Sequence, residues 1–531
     1  MEIVYFLALA FIFLVKTNQA IRLKNVVPIT KGQVFPKPQM QISFGTQNIL
    51  NKNEFRFEYV KGSQICDVVS IAFKRYYKII FDSRLLRQTN RIKNVSSIKK
   101  LTLMVHEPCE LYPNLESDES YNLKIASSIA YLESKTLWGA LRGLESFSQM
   151  IIESDDGSLV INDTLINDFP RFNHRGILLD TSRHYIRSSI IKVHLDAMEA
   201  NKMNVFHWHI VDDESFPFVS SSFPDLSKKG AYNPYTHVYT SDDVKEIIEY
   251  ARLRGIRVVS EFDTPGHTQS WGKSIQILTK CYTGEKPNGD FGPIDPTNNL
   301  TYSFLEEFLT ELTAVFPDKY LHLGGDEVDF SCWQSNPDIA EFMKQKGFGK
   351  DYSKLEQFYM QKLLDLINKV SPKSGYIIWQ EVVDNNVVVK PDTVVEVWKD
   401  PWPEELSMVT KLGYRALLST CWYLNYISYG DDWKKYYKCD PYDFPGTDKQ
   451  KSLVIGGEAC MWGEYVDGSN VISRTWPRTS AVAERLWSAQ NVTNVADAQG
   501  RIEEHRCRMI KRGIKAEPFN GSGHCEYEVD L

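Results

Sequence analysis

Short apolar runs recur along most of the chain, each ending in a polar or aromatic tip. They are "GILLD" (176–180), "NVFHWHIV" (204–211), "RVVSEF" (257–262), "YLHLG" (320–324), "GYIIWQE" (375–381), "TVVEVW" (393–398), "YRALLS" (414–419) and "LVIGGEACMW" (453–462). Amphipathic segments such as "SDDVKEIIEYARLRG" (241–255) separate several of them. Strands alternating with helices imply parallel pairing through right-handed crossovers. Eight such units predict a (β/α)8 TIM barrel with insertions, an α/β architecture. Upstream, residues 21–167 mix β-rich runs such as "LTLMV" (101–105) with a helical stretch, "TLWGALRGLESFSQMI" (136–151). There Leu137, Leu141, Leu144, Phe147 and Met150 recur at three- and four-residue steps and make one apolar face. The expected organisation is a smaller N-terminal α/β domain (21–167), a boundary at "NDFPR" (167–171), and a catalytic barrel with a C-terminal segment over 168–531.

The first residues follow a different pattern. Ile3–Val15 is a thirteen-residue apolar run, short of the ~20 residues that span a bilayer. It matches the hydrophobic part of a secretory signal peptide over residues 1–20, with cleavage near Ala20. No later stretch is long and apolar enough to span a bilayer, so no integral membrane segment is expected. Sequons at Asn94, Asn162, Asn299, Asn491 and Asn520 accord with export. So do the nine cysteines, which an oxidising route would pair. Joining neighbours in the chain gives Cys66–Cys109, Cys281–Cys332, Cys421–Cys439 and Cys507–Cys525 and leaves Cys460 over; spacing alone leaves other connectivities open. The formal net charge of −7 and the absence of a long basic block argue against a nucleic-acid partner.

In a barrel the chemistry sits just past the C-terminal ends of the strands. The residues there are Asp180 and Arg183; Asp212 and Asp213; Glu261, Asp263 and His267; Asp326 and Glu327; Trp379 and Glu381; Trp398; Trp422 and Tyr423; Glu458, Trp462 and Glu464. One acid after one strand reads as a helix cap, but eight such tips together read as a site. Acids, one Arg and several tryptophans suit a neutral polyol with apolar faces, which is the character of a sugar. Glycosidic cleavage needs a protonated carboxylic acid aimed at the bridging oxygen. Burial near a second carboxylate raises an acid's pKa, so Asp326–Glu327 is the expected source, with the two side chains pointing opposite ways at an extended strand end. Consecutive carboxylates are badly placed to flank a scissile bond. Either the partner lies on another strand or the substrate supplies its own nucleophile.

A metal enzyme is the chemical alternative. "HWH" puts His207 and His209 on one strand face near Asp212, Asp263 and His267. A lone His-x-His is weak, a metal leaves the aromatic tips unexplained, and the pair reads equally as core histidines hydrogen-bonded within the barrel or as support beneath Asp212.

Beyond these local readings, "RGILLDTSRHY" (175–185), "NVFHWHIVDDESFP" (204–217), "YARLRGIRVVSEFDTPGHT" (250–268), "LHLGGDEVDF" (321–330), "WQEV" (379–382), "CWYLNYISYG" (421–430) and "GGEACMWGEYVD" (456–467) resemble the lysosomal β-N-acetylhexosaminidases of glycoside hydrolase family 20. The similarity spans nearly the whole mature chain. It implies a retaining exo-enzyme that removes terminal β-linked GlcNAc or GalNAc through an oxazolinium intermediate, with no cofactor and no metal. By the same resemblance Glu327 is the general acid/base, Asp326 orients the acetamido group, and Tyr423 bonds to its oxygen. Trp379, Trp398 and Trp462 wall the pocket; Arg183, Asp212 and Glu464 bind hydroxyls; His267 supports the acid/base. Implied partners are glycans of glycoproteins, oligosaccharides, glycolipids or chitin fragments and a second copy in a homodimer; the implied location is lysosomal or secreted.

One departure matters. Among mammalian lysosomal members an Asn-Arg pair after "WYL" goes with negatively charged substrates and an Asp-Leu pair with neutral ones. Here the pair is Asn425–Tyr426. Tyr426 lacks the charge that a sulfate would favour, so a neutral preference is expected. "DPWPEEL" (400–406) also departs from the segment that engages an activator protein in ganglioside cleavage. A sugar-binding protein without turnover is the reading from another class, and its expected mark is a missing acid; Asp326, Glu327 and Tyr423 are all present.

Overall fold

The computed structural model describes residues 31–81, 96–154, 156–426, 428, 430–525 and 528. The signal peptide expected over 1–20 and the sequon at Asn94 lie outside them. Eight strands close a parallel barrel: His174–Asp180, Val205–His209, Arg257–Glu261, Tyr320–His322, Gly375–Trp379, Val394–Val397, Arg415–Leu418 and Val454–Met461, the last pairing back with the first. All eight coincide with the apolar runs of the sequence. Helices follow the strands on the outside. Ser241–Arg252 shows how: Thr240 and Asp243 form a capping box, while Val244, Ile247, Ile248 and Ala251 turn inward as one buried face. Among the described residues no helix is long and apolar enough to cross a membrane.

The barrel interior is layered, and the period-two geometry of strands explains the layers. Val205, Val259, Tyr320, Ile377, Val394 and Leu417, one from each of six successive strands, form an apolar plug. Two residues further along the same strands stand His207, Glu261, His322, Trp379, Glu396 and Ser419, all buried. A second step of two reaches His209, Asp263, Gly324, Glu381, Trp398 and Cys421 at the mouth. Hydrocarbon therefore gives way to ionisable groups and then to the open end.

The preceding unit is an eight-stranded mixed sheet running from Met40–Leu50 to Leu159–Asp168. It packs against helices Asp67–Phe81 and Leu137–Gln149. Thr136 caps the second helix by accepting from the Trp138 and Gly139 amides. Four disulfides join Cys66–Cys109, Cys281–Cys332, Cys421–Cys439 and Cys507–Cys525, and Cys460 is free and buried. Neighbouring cysteines in the chain do pair.

One buried node fixes the sheet unit to the barrel. Glu119 accepts from Arg142 at 2.7 Å, from Arg175 of the first barrel strand at 2.7 Å on both oxygens, and from Asn204 at 3.0 Å. Arg142 also donates to the Arg254 and Gly255 carbonyls of the barrel. Burial alone would raise the Glu119 carboxyl, but Arg175 and Arg142 hold it below the usual range. Removing one partner of such a node leaves buried charge uncompensated. Glu119→Gln is expected to cost about 3–5 kcal/mol and to lower Tm in calorimetry; an unchanged Tm would show that the docking does not depend on this carboxylate.

Candidate active site

The mouth of the barrel opens into a cleft of about 130 Å³. Nine of the eleven residues expected from the sequence line it: Arg183, His267, Asp326, Glu327, Trp398, Tyr423, Asn425, Trp462 and Glu464. The other two stand directly behind. Trp379 is fully buried, with ring centroids 6.4 Å from Trp398 and 6.1 Å from Trp462, and donates to Glu261 at 2.8 Å. Asp212 is reached through Arg183 and two histidines. The cleft is completed by Asp263, expected at the mouth though without a binding role, by Tyr426, expected to bear on substrate charge, and by His209, expected only in the core or as a metal ligand or support. A period-two count from Val205 and Val259 would have placed His209 and Asp263 on the inward face. Tyr426 carries no such signal, because its loop has no regular repeat.

The loop 323–329 gives the site its shape. The fourth barrel strand stops at His322, so Asp326 and Glu327 sit on irregular backbone and not at an extended strand end as expected. Gly324 and Gly325 have φ of 68° and 101°, conformations that favour glycine. A Cβ on Gly324 would lie 1.7 Å from Asp263 Oδ1, so no side chain fits there. In its absence the Gly325 amide donates to Asp263 at 2.7 Å. Glu327 and His267, which carry Cβ atoms, also hold positive φ of 49° and 54°, a strained state typical of functional loops. Both acids consequently reach the same cleft, Asp326 nearly buried and Glu327 with 54% of its side chain exposed.

Asp212 is the electrostatic hub. Its Oδ2 lies 3.0 Å from His209 Nε2 and from Arg183, and its Oδ1 lies 3.1 Å from His267 Nδ1. Burial alone would raise this carboxyl, but the two histidines drive it far below its ordinary value. Arg183 also binds Asp180 at 3.0 Å and sits 5.2 Å from the Trp462 ring centroid. His267 Nε2 faces Glu327 at 3.6 Å, Asp326 at 3.9 Å and Asp263 at 4.0 Å. Burial opposes its charge, yet Asp212 and Glu327 raise the imidazole well above its ordinary range. Glu327 is correspondingly lowered, chiefly by His267.

That overturns the expectation of a raised acid at Glu327. In the open cleft this carboxyl is half exposed and stands beside a cation, so neither burial nor Asp326 dominates. The raised carboxyl is Asp263, through its own burial and then the nearby Asp326. The other polar feature is a vacancy of partners: Asp326 Oδ1 is buried and accepts no hydrogen bond from the described residues. Opposite, Tyr423 stacks between Trp398 (6.1 Å, 19°) and Tyr426 (5.7 Å, 28°).

Two clusters bring possible ligand atoms within 4.8 Å of one another: Asp263, His267 and Asp326, and His207, His322 and Glu396. Metal ligation requires deprotonated carboxylates and neutral imidazoles. Here burial, followed by neighbouring carboxylates, raises Asp263 and Glu396, while His267, His207 and His322 are held as cations by theirs. In the metal-free protein several of these groups therefore favour their protonated forms, and an ion would have to displace those protons to bind. His207 and His209 are core histidines hydrogen-bonded within the barrel, and His209 also supports Asp212.

A (β/α)8 barrel whose mouth combines acids, a paired Arg and aromatic walls defines a carbohydrate-cleaving enzyme, a glycoside hydrolase. Comparison with known proteins is specific. Residues 172–490 match the catalytic domain of glycosyl hydrolase family 20, and residues 34–150 match the beta-acetyl hexosaminidase-like domain. The chain is 52% identical over 508 residues to beta-hexosaminidase subunit alpha of Bos taurus, covering 94% of this chain and 96% of that protein. It is 53% identical over 468 residues to beta-hexosaminidase subunit beta of Homo sapiens, covering 87% and 84%. The chitobiase of Flavobacterium johnsoniae superposes with a TM-score of 0.80 at 29% identity, covering 91% of this chain and 73% of that one. The chain belongs to glycosyl hydrolase family 20. Activity on a chromogenic β-N-acetylhexosaminide is expected to survive dialysis against EDTA; loss that added divalent cation restores would reinstate a metal.

Proposed function

We propose that the protein is a retaining exo-β-N-acetylhexosaminidase in which the substrate provides the nucleophile. The observation that carries this reading is the bare, buried Asp326 Oδ1 beside Glu327. An unpaired buried acceptor is costly, and a substrate amide N–H would satisfy it. Held so, and with its oxygen on the Tyr423 hydroxyl, the 2-acetamido group attacks the anomeric carbon. The glycosidic C–O bond breaks, the leaving oxygen takes the Glu327 proton, and an oxazolinium ion forms. Water then attacks the anomeric carbon and gives a proton to Glu327, while the bond from that carbon to the acetamido oxygen breaks and the acetamido group is restored, with net retention. Filling the cleft displaces water from around Glu327, which favours its neutral form. Trp379, Trp398 and Trp462 enclose the sugar's apolar faces, and Arg183, Asp212 and Glu464 meet its hydroxyls.

Neutral substrates are preferred in this reading. The cationic side chains lining the cleft, Arg183, His209 and His267, are each already paired with carboxylates, and Tyr426 adds none. A sulfate on the sugar would find no unpaired cation among the described residues lining the cleft. The homodimer, and export to the lysosome or the cell exterior, remain part of the proposal. Four disulfides accord with an oxidising route, and the relatives named above are subunits.

Glu327→Gln is expected to lower kcat by at least about 10³-fold with sugar binding retained in calorimetric titration. Full turnover in that variant would sink the assignment. The kcat/KM on a plain β-GlcNAc substrate should exceed that on its 6-sulfated counterpart at least about tenfold, the loss of one charge-assisted contact. Equal values would remove Tyr426 as the discriminating residue.

A further inference from the structure

Behind the cleft, imidazoles and carboxylates alternate in one continuous ladder. His174 Nε2 meets Glu458 Oε1 at 2.5 Å, and Glu458 Oε2 meets His207 Nδ1 at 2.7 Å. His207 Nε2 meets Glu261 Oε2 at 3.1 Å, and the same oxygen meets His209 Nδ1 at 2.5 Å. His209 then reaches Asp212, Asp212 reaches His267, and His267 faces Glu327 at 3.6 Å. From His174 to Asp212 every member is buried. Packing alone asks for none of this, since aliphatic side chains fill most barrel interiors. We propose that His207 and His209 are positioning residues whose charge, passed through Asp212 and His267, sets the pH range over which Glu327 works.

The surroundings define the sign. His207 is faced by Glu458, Glu261 and Glu396 from three strands and by His322 and His174 from two others. His209 is faced by Glu261 and Asp212, with Asp180 further off and the Trp462 ring at 4.9 Å. His267 is faced by Asp212, Asp263, Asp326 and Glu327. Burial works against charge on His209, but Glu261 and Asp212 raise it to about 9; His207 is raised likewise, against its burial, by Glu458 and Glu261. Both are cations wherever an acid-requiring reaction runs. Three carboxylates held low (Glu458, Glu261, Asp212) thus stand among imidazoles held high (His207, His209, His267 and, against Glu261, His322). Removing the His207 or His209 imidazolium makes the potential at Asp212 and His267 more negative, in a low-dielectric interior where charge acts far more strongly than in water. His267 and Glu327 then hold their protons to higher pH.

This inference rests on Glu327 as the acid/base, and its test is separable from that reading. His209→Gln and His207→Gln keep hydrogen-bonding capacity and remove the charge. Both limbs of the pH profile of kcat/KM are expected to move upward, by roughly one pH unit for His209→Gln and by less for the more distant His207→Gln. Unmoved limbs with kcat lowered at every pH would reduce the ladder to packing, and a downward shift would refute its sign. Loss of turnover in Glu327→Gln with unmoved limbs in the histidine variants would sink this proposal and leave the reaction standing. Should either variant fail to fold, the wild-type enzyme decides. With 15N-labelled histidine, His207, His209 and His267 are expected to stay protonated at pH values where His174, His194 and His505, lowered by burial, are neutral. Deprotonation of all histidines together would overturn the proposal.

Discussion

A carboxylate inside a dry barrel has to be neutralised where it stands, and Glu261 is where that requirement is most concentrated. Its two oxygens face His207 at 3.1 Å, His209 at 2.5 Å, His322 at 3.2 Å and the Trp379 indole N–H at 2.8 Å. An uncompensated charge there would cost several kcal/mol. Each partner in turn fixes part of the cleft. Trp379 is locked as its floor, and His209 is oriented toward Asp212. Asp212 then holds Arg183 on one side and His267 on the other. The cleft's walls and its charges follow from one buried acid.

The loops that carry the reactive groups are braced covalently. Cys281–Cys332 ties the hairpin over 278–294 to the segment just after Glu327, and Cys421–Cys439 closes the loop that bears Tyr423, Asn425 and Tyr426. Short disulfide-closed loops restrict what the chain samples when unfolded. They also limit how far a strained residue can relax. Glu327 and His267 hold left-handed backbone beside the Asp263–Gly325 bond. Strain and bracing belong together here, as the rigid scaffold keeps the acid aimed.

The strands were legible in the sequence because barrel strands buried on both faces read as uninterrupted apolar runs, and all eight lie where those runs fall. Asp326–Glu327 stood out for a similar reason, as paired acids after an apolar run and two glycines. What the chain did not reveal is the meeting of distant strands. His207, Glu261, His322, Glu396 and Glu458 each look like an isolated polar residue in a strand, and only barrel closure brings them into one ladder. Protonation states were misread for the same cause: Glu327 was expected to be raised by Asp326, yet its nearest strong influence is His267, sixty residues away along the chain. The positive φ of Glu327 has no marker at all, since nothing in its neighbours requires it.

The distribution of commitments among the acids at the mouth bears on the proposed reaction. Asp180 and Asp212 are engaged with Arg183 and imidazoles. Glu381 accepts from the Trp398 indole and pairs with Lys399. Asp263 accepts from the Gly325 amide, and its burial, then the nearby Asp326, push its carboxyl well above the usual range. A protein nucleophile would have to be an ionised carboxylate free to form a bond, across the scissile position from the acid. Among the described acids at the mouth, Asp326 keeps a buried oxygen that neither a hydrogen bond nor an ion pair engages, and it stands on the same loop as Glu327, one residue away. An acceptor in that place can hold an N–H but cannot attack from the opposite face. The same electrostatic economy that neutralises the barrel interior thus supports the proposed reaction, in which the substrate supplies the nucleophile.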